Sequence, residues 1–316
     1  MSDATIAIDV NNLSRKFGDK NVVQNLTLNV KKGEIYAFLG PNGAGKSTTV
    51  KMLITLLSPT SGNVTVMGKD VQSNDDEVRL IIGAALQEAS LDESQTGIEF
   101  LKLQGRLYGL TNIQINARIN ELIKLIDIGD ALNKQIKTYS GGMKRRLDLA
   151  ASIIHNPQVL FLDEPTTGLD PVSRAKVWKE VKRLNEKLGV TIFLTTQYLE
   201  EADQLADRVG IISGGKLVAQ GTPKELKDSV GEDLIIITVS NLTPNAISGL
   251  QKIKTVSKVD SKGNEITVVS ASGSSIIGKV VLELNNQNIV IESLTLRTTT
   301  LDDVFLEVTG NRLEAK

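Results

Sequence analysis

The chain of 316 residues contains no cysteine and only one histidine, His155. The first absence excludes disulfides, thiolate metal sites and cysteine nucleophiles. The second excludes a cluster of imidazole ligands and a Ser-His-Asp triad. Charge of one sign is missing too: 36 Lys and Arg face 37 Asp and Glu, a formal net charge of -1. A chain so balanced lacks the broad positive field that non-specific nucleic-acid binding needs, so no nucleic-acid partner is expected. Long apolar runs are also lacking. The longest, such as Val159-Leu160-Phe161-Leu162 and Leu234-Ile235-Ile236-Ile237, have strand length, far short of the roughly 20 apolar residues that cross a bilayer. Met1-Ser2-Asp3-Ala4 has neither the basic lead nor the apolar core of a signal peptide. The chain therefore reads as cytosolic, with any membrane role passing through a partner.

What remains is ordinary globular composition, 41% hydrophobic and 23% charged. The length suits one large domain plus a smaller one. Leu26 to Val30 alternates as a strand, Lys31-Lys32-Gly33 turns, and Glu34 to Leu39 follows as a second strand. A glycine-rich run from Gly40 leads into a helical segment through Leu57, and Ser58 to Gly62 is a turn cluster before the strand Val64-Thr65-Val66. From about Gln95 to Gly129 the period becomes helical. Strands at 159–162, 190–195 and 209–212 then alternate with helices from Pro171 and Leu199, the pattern of a parallel sheet flanked by helices. Asp170-Pro171 starts its helix with a capping residue and a first-turn proline. Along that helix Trp178 reads as core packing. Beyond Gly231 the order is strand (234–240), helix (243–253), a hairpin around Lys262-Gly263-Asn264, helix (274–285), strand (288–296) and helix (301–309), a small α+β domain.

Chemistry concentrates in three places. Gly40-Pro41-Asn42-Gly43-Ala44-Gly45-Lys46-Ser47, followed by Thr48, fits a phosphate-binding loop between a strand and a helix. Glycines let backbone N–H groups converge on phosphate oxygens at the positive end of the helix. Lys46 adds a charge for the β- and γ-phosphates, and the Ser47 hydroxyl suits Mg2+. Val159 to Asp163 is an apolar strand that ends in Asp163-Glu164. Where the chain bends at the strand end both acids reach one site, Asp163 to hold Mg2+ and Glu164 to act as general base on water. Ser140-Gly141-Gly142-Met143 caps a helix and leaves its N-terminus open to an anion. His155, just ahead of Asn156-Pro157, is expected to serve the exposed carbonyls at the far end of that helix.

The phosphate loop, the Ser-Gly-Gly run, the acidic strand end and Gly168-Leu169-Asp170 stand in the order and approximate spacing of ABC ATP-binding domains. The resemblance covers about residues 5–225. It implies an α/β fold: a P-loop NTPase parallel sheet flanked by helices, with an antiparallel β subdomain and a helical subdomain at about 88–155. The ATP-binding domain would be 1–230, and 231–316 a small α+β domain that regulates or supports a dimer. Further, the resemblance implies a head-to-tail pair of ATP-binding subunits with two ATP molecules sandwiched between them. Ser140, Gly141, Gly142 and Met143 of one copy would contact the γ-phosphate held by the other, and Asp170 would communicate between sites. Phe17 matches the aromatic that stacks on adenine. Gln87 matches the glutamine that touches Mg2+ and senses a transmembrane permease, to which the pair would attach at the inner face of the cell membrane.

One departure stands out. ABC domains usually carry histidine where Thr195-Thr196-Gln197-Tyr198 places Gln197. A glutamine amide donates a hydrogen bond to a phosphate but carries no proton or charge near neutral pH. With Glu164 present, Gln197 is read as a neutral donor in a working ATPase. The run Thr195 to Asp207, Lys137 to Met143, and Thr300-Leu301-Asp302-Asp303-Val304-Phe305-Leu306 resemble the daunorubicin-resistance exporter branch, where this glutamine is familiar. Export of a drug or other hydrophobic compound is the function this implies. The rival reading is a soluble ABC ATPase of translation or DNA maintenance. Such proteins carry two cassettes or a long coiled coil, and here each motif occurs once with no sustained heptad run.

Overall fold

The N-terminal strands are longer than their local alternation announces. In the computed structural model, which describes residues 5–87, 91–127 and 129–310, β1 (Ile6–Phe17) and β2 (Lys20–Lys31) form a long antiparallel hairpin. Irregularities in register along β1, with Asn12 in the left-handed region at φ 50°, break the two-residue period that a sequence reading relies on. With β4 (Ser61–Val66) and β5 (Lys69–Asp70) the hairpin makes a four-stranded antiparallel sheet, ordered β2-β1-β4-β5.

A second sheet runs β10-β9-β3-β8-β7-β6. Its members are β3 (Ile35–Leu39), β6 (Ile82–Ala85), β7 (Val159–Asp163), β8 (Thr191–Thr196), β9 (Arg208–Ser213) and β10 (Lys216–Gly221). All pair in parallel except β10, which returns antiparallel to β9. Every residue of β3, β7 and β8 is buried, as expected of parallel strands covered on both faces. Phe193 on β8 stands at the centre, its ring 5.6–5.8 Å from those of Tyr36, Phe38 and Phe161.

Helices fill the connections. α1 (Lys46–Leu53) follows β3 and is shorter than the segment to Leu57 expected, and α2 (Asp75–Ile81) precedes β6. The helical stretch from Gln95 divides in two because Gly109 turns the chain at φ 75° and Thr111 caps anew. The products are α3 (Gly97–Leu107) and α4 (Asn112–Leu125), each opened by a reciprocal cap, Thr96 with Glu99 and Thr111 with Gln114. α5 (Gly141–Ser152), α6 (Pro171–Leu188) and α7 (Leu199–Leu205) complete the set. Residues 88–90, where the helical subdomain is expected to begin, lie outside the described residues, as do 1–4 and 311–316 at the domain ends.

The chain divides into two compact units between Pro223 and Lys224. The second contains nearly all of α8 (Pro223–Val230), then β11 (Asp233–Val239), α9 (Pro244–Gln251), β12 (Val256–Lys262), β13 (Glu265–Ser270), α10 (Gly273–Asn286), β14 (Ile291–Arg297) and α11 (Leu301–Thr309). Its antiparallel sheet, ordered β12-β13-β11-β14, has its own core: Ile235, Ile237, Ile266 and Val268 pack against Ile276, Val280 and Leu284 of α10.

Candidate functional site

The loop between β3 and α1 wraps around its own lysine. Gly43 and Gly45 adopt φ 78° and 106°, and a Cβ at Gly45 would stand 2.8 Å from the Val22 carbonyl oxygen. Only glycine fits there. Lys46 is 4% exposed; its Nζ donates to the Gly40 and Pro41 oxygens at 2.8 and 3.1 Å and lies 3.1 Å from Glu164 Oε1. Ser47 Oγ donates to Asp163 Oδ1 at 3.2 Å, and Thr195 Oγ1 donates to the same oxygen at 2.5 Å. The lysine, serine and both acids therefore converge from β3–α1 and β7, with Thr195 of β8 behind them.

Asp163 and Glu164 are neighbours on a strand, where successive side chains diverge. Glu164 has φ 48°, a conformation uncommon outside glycine. That backbone turn brings its carboxylate to Lys46, while its amide donates to Thr195 Oγ1 at 3.0 Å and Thr167 Oγ1 donates to its Oε2 at 3.2 Å. Asn42, Gly43, Gly45, Lys46, Ser47, Thr48, Gln87, Glu164 and Gln197 line one cavity of about 430 Å³ together with Val22 and Thr167, a volume suited to a nucleotide-sized ligand. Gly40, Pro41 and Ala44 shape the loop without lining the cavity.

Other expected residues stand apart from that lining. Phe17 ends β1, 46% exposed, with the Arg15 guanidinium 4.5 Å over its ring. Ser140 caps α5 through a bond accepted from the Met143 amide, and Ser140 and Gly141 are exposed while Gly142 and Met143 are half-buried. Asp170 caps α6, accepting from the Val172 and Ser173 amides at 3.0 Å; the Ser173 hydroxyl holds its carboxyl below the ordinary range.

Two expectations need correcting. His155 does not serve the end of α5. Its Nε2 meets the Ile82 oxygen at 2.9 Å, its ring stacks on Tyr108 at 3.6 Å, and burial pulls its pKa down. The carbonyls of Ile153 and Ile154 are taken by Arg118 of α4 at 2.9 and 3.2 Å. Trp178, in turn, is half-buried and donates from Nε1 to Glu201 Oε1 at 2.8 Å. Glu201, which the sequence reading did not single out, is fully buried and also accepts from Thr166 at 2.8 Å; burial pushes its pKa up.

The oxygen donors fit a magnesium ion. Ser47, Asp163 and Gln87 offer a hydroxyl, a carboxylate and an amide oxygen around one cavity, and Mg2+ is characteristically held by one or two carboxylates plus phosphate and water. Among the described residues no three His, Cys, Asp or Glu side chains cluster as an all-protein cage. Nor is any described helix long and apolar enough to cross a membrane.

Comparison with known proteins settles the family. A sequence model described as ABC transporter matches residues 23–167, and one described as the C-terminal domain of DrrA1-3-like ATP-binding proteins matches 221–309. The chain is 43% identical over 313 residues to the daunorubicin resistance ATP-binding protein DrrA3 of Streptomyces coeruleorubidus, covering 99% of each. It belongs to the ABC transporter ATP-binding subunits. The linearmycin resistance ATP-binding protein LnrL of Bacillus subtilis is 35% identical, with 97% of this chain and 99% of that one covered. Among solved structures, the ATP-binding cassette MJ0796, a dimer in a post-hydrolysis state bound to ADP and Pi, matches with a TM-score of 0.62 at 26% identity. That match covers 68% of this chain and 98% of the other. This ATP-binding subunit thus has the cassette fold that the phosphate loop and acidic strand end implied.

Proposed function

We propose that two copies of this chain clasp two ATP molecules, hydrolyse them, and so drive export of a hydrophobic compound through a separate membrane permease. The observation that carries this reading is the meeting of Lys46, Ser47, Glu164, Gln87 and Gln197 around one cavity, with Asp163 bonded to Ser47. The Ser140 cap and the open start of α5 lie outside that lining, as a group offered to a neighbouring copy's nucleotide does. The resistance proteins named above support the drug-like cargo, and the dimeric cassette supports the pairing.

In this reading the loop amides and Lys46 orient the β- and γ-phosphates. Ser47, Asp163 and Gln87 would hold Mg2+, which when bound neutralises charge on the phosphate oxygens. Glu164 takes the proton of the attacking water, and Gln197 donates its amide N–H to the γ-phosphate. Phe17 stacks on adenine with the ring face that Arg15 leaves free. Asp170 links the two sites from the start of α6. The C-terminal domain, 231–316, supports the dimer or regulates it. The subunit works at the inner face of the membrane, attached through the permease.

Glu164→Gln keeps the phosphate contacts and removes the base. Its turnover is expected to fall roughly 10²–10⁴-fold while MgATP affinity persists. With ATP it is expected to elute as a stable dimer by size exclusion with light scattering. A monomer under saturating ATP, or unchanged turnover, defeats the reading.

A further inference from the structure

One side chain on α5 touches the backbone on both sides of Glu164 and just ahead of Gln87. Arg145 is 11% exposed. Its Nε donates to the Pro165 oxygen at 2.8 Å, Nη2 to the Asp163 oxygen at 3.2 Å, and Nη1 to the Leu86 oxygen at 2.6 Å. Asp163 and Pro165 flank Glu164, and Leu86 precedes Gln87. Nη1 also meets Asp148 Oδ2, three residues on, at 3.1 Å, which aims the fork.

We propose that Arg145 is a positioning residue for hydrolysis, fixing the backbone on both sides of Glu164 and just ahead of Gln87. The inference rests on the ATPase reading above. Two features make arginine the residue for this task. Its planar guanidinium spreads five donors over three nitrogens in a rigid fork, so separate carbonyls are held in fixed relation to one another. Each bond is also charge-assisted and largely shielded from water, so it resists the small displacements that misplace a base. Glu164 sits in a left-handed conformation at the end of β7, and such a conformation persists only where its surroundings over-determine it. The bonds to residues 163 and 165 supply that restraint from one atom group. Lysine keeps the charge, yet its three donors share one nitrogen and cannot span the same carbonyls.

The test compares the full-length unsubstituted chain with Arg145→Lys, Arg145→Ala and Arg145→Ala/Asp148→Ala. Arg145→Lys is expected to keep its thermal midpoint and its affinity for ATP in EDTA. Its kcat falls about tenfold, more than any rise in KM, and the gain in ATP affinity on adding Mg2+ shrinks about threefold. Arg145→Ala leaves Asp148 buried without its partner and is expected to lose stability. Removing Asp148 as well recovers the part of the thermal midpoint lost to the unpaired acid but leaves kcat low. Wild-type kcat and Mg2+ gain in Arg145→Lys, or recovery of kcat together with stability in the double variant, overturn the proposal. Failure of the unsubstituted chain to hydrolyse ATP would bring down the ATPase reading instead. The Mg2+ gain, which needs no turnover, then still decides the role of Arg145.

Discussion

At the scale of single residues, burial sets the acid–base behaviour of this protein more than charge pairing does. Glu180 on α6 is 6% exposed, and its carboxyl is pushed up to about 7 by burial, against the pull of Arg146 at 3.8 Å. The unfolded chain releases this proton near 4.5. Between those values the native state binds more protons than the unfolded one, so this group's contribution to stability falls as pH rises from about 4.5 to about 7. The magnitude is on the order of 3 kcal/mol at about 1.4 kcal/mol per unit. Glu180→Gln is expected to flatten that part of the pH dependence, read as urea midpoints at pH 5 and pH 8. An unchanged slope would mean that Glu180 is ionised across the whole range. Asp148, raised to about 6 by burial beside Arg145, contributes in the same direction and remains in both proteins.

At the scale of elements, local signals were legible and distant partners were not. Asp170 and Ser140 cap the helices that start at the next residue, and such caps are written in adjacent letters. Thr96, Thr111 and Thr300 cap in the same local way, but the sequence reading did not single them out and so missed the break between α3 and α4. The phosphate loop, the acidic strand end and the alternation of strands and helices are likewise local, so the cassette core could be read directly. The backbone carbonyls that Arg145 holds lie 18 to 59 residues away, and the partners of Glu201 23 and 35. No periodicity encodes such meetings. The end of α5 shows the same limit: adjacency pointed to His155, whereas the carbonyls are served from α4 by Arg118. Arg118→Ala should therefore destabilise the protein by about 1–3 kcal/mol, the range for leaving a buried carbonyl unpaired. That carbonyl is Ile154's, since Ile153 keeps its bond from the Asn156 amide. A urea titration followed by circular dichroism measures the loss, and a change under about 0.5 kcal/mol would assign the Ile154 carbonyl to water.

At the scale of the whole molecule, two compact units, each with a hydrophobic core of its own, predict two unfolding events. One core gathers Ile8, Val10, Phe38, Val50, Phe161 and Phe193 around the nucleotide cavity's framework, and the other lies wholly beyond Lys224. Chains with more than one cooperative unit depart from two-state behaviour. Trp178, the single tryptophan, belongs to the first unit, so its emission follows that unit alone while far-ultraviolet dichroism follows both. MgATP is expected to raise the fluorescence midpoint through its binding free energy and leave a second dichroism transition in place. One coincident transition that shifts as a whole would mean the two cores unfold together.

The order β12-β13-β11-β14 leaves β12 and β14 as outer strands of the C-terminal sheet. β12 carries Lys258, Asp260 and Lys262 among its exposed positions, and β14 carries Glu292 and Arg297. Ammonium, guanidinium and carboxylate groups along both rims discourage a stray chain from adding itself as another strand. A second copy is thereby offered little inducement to extend this sheet into a fibril.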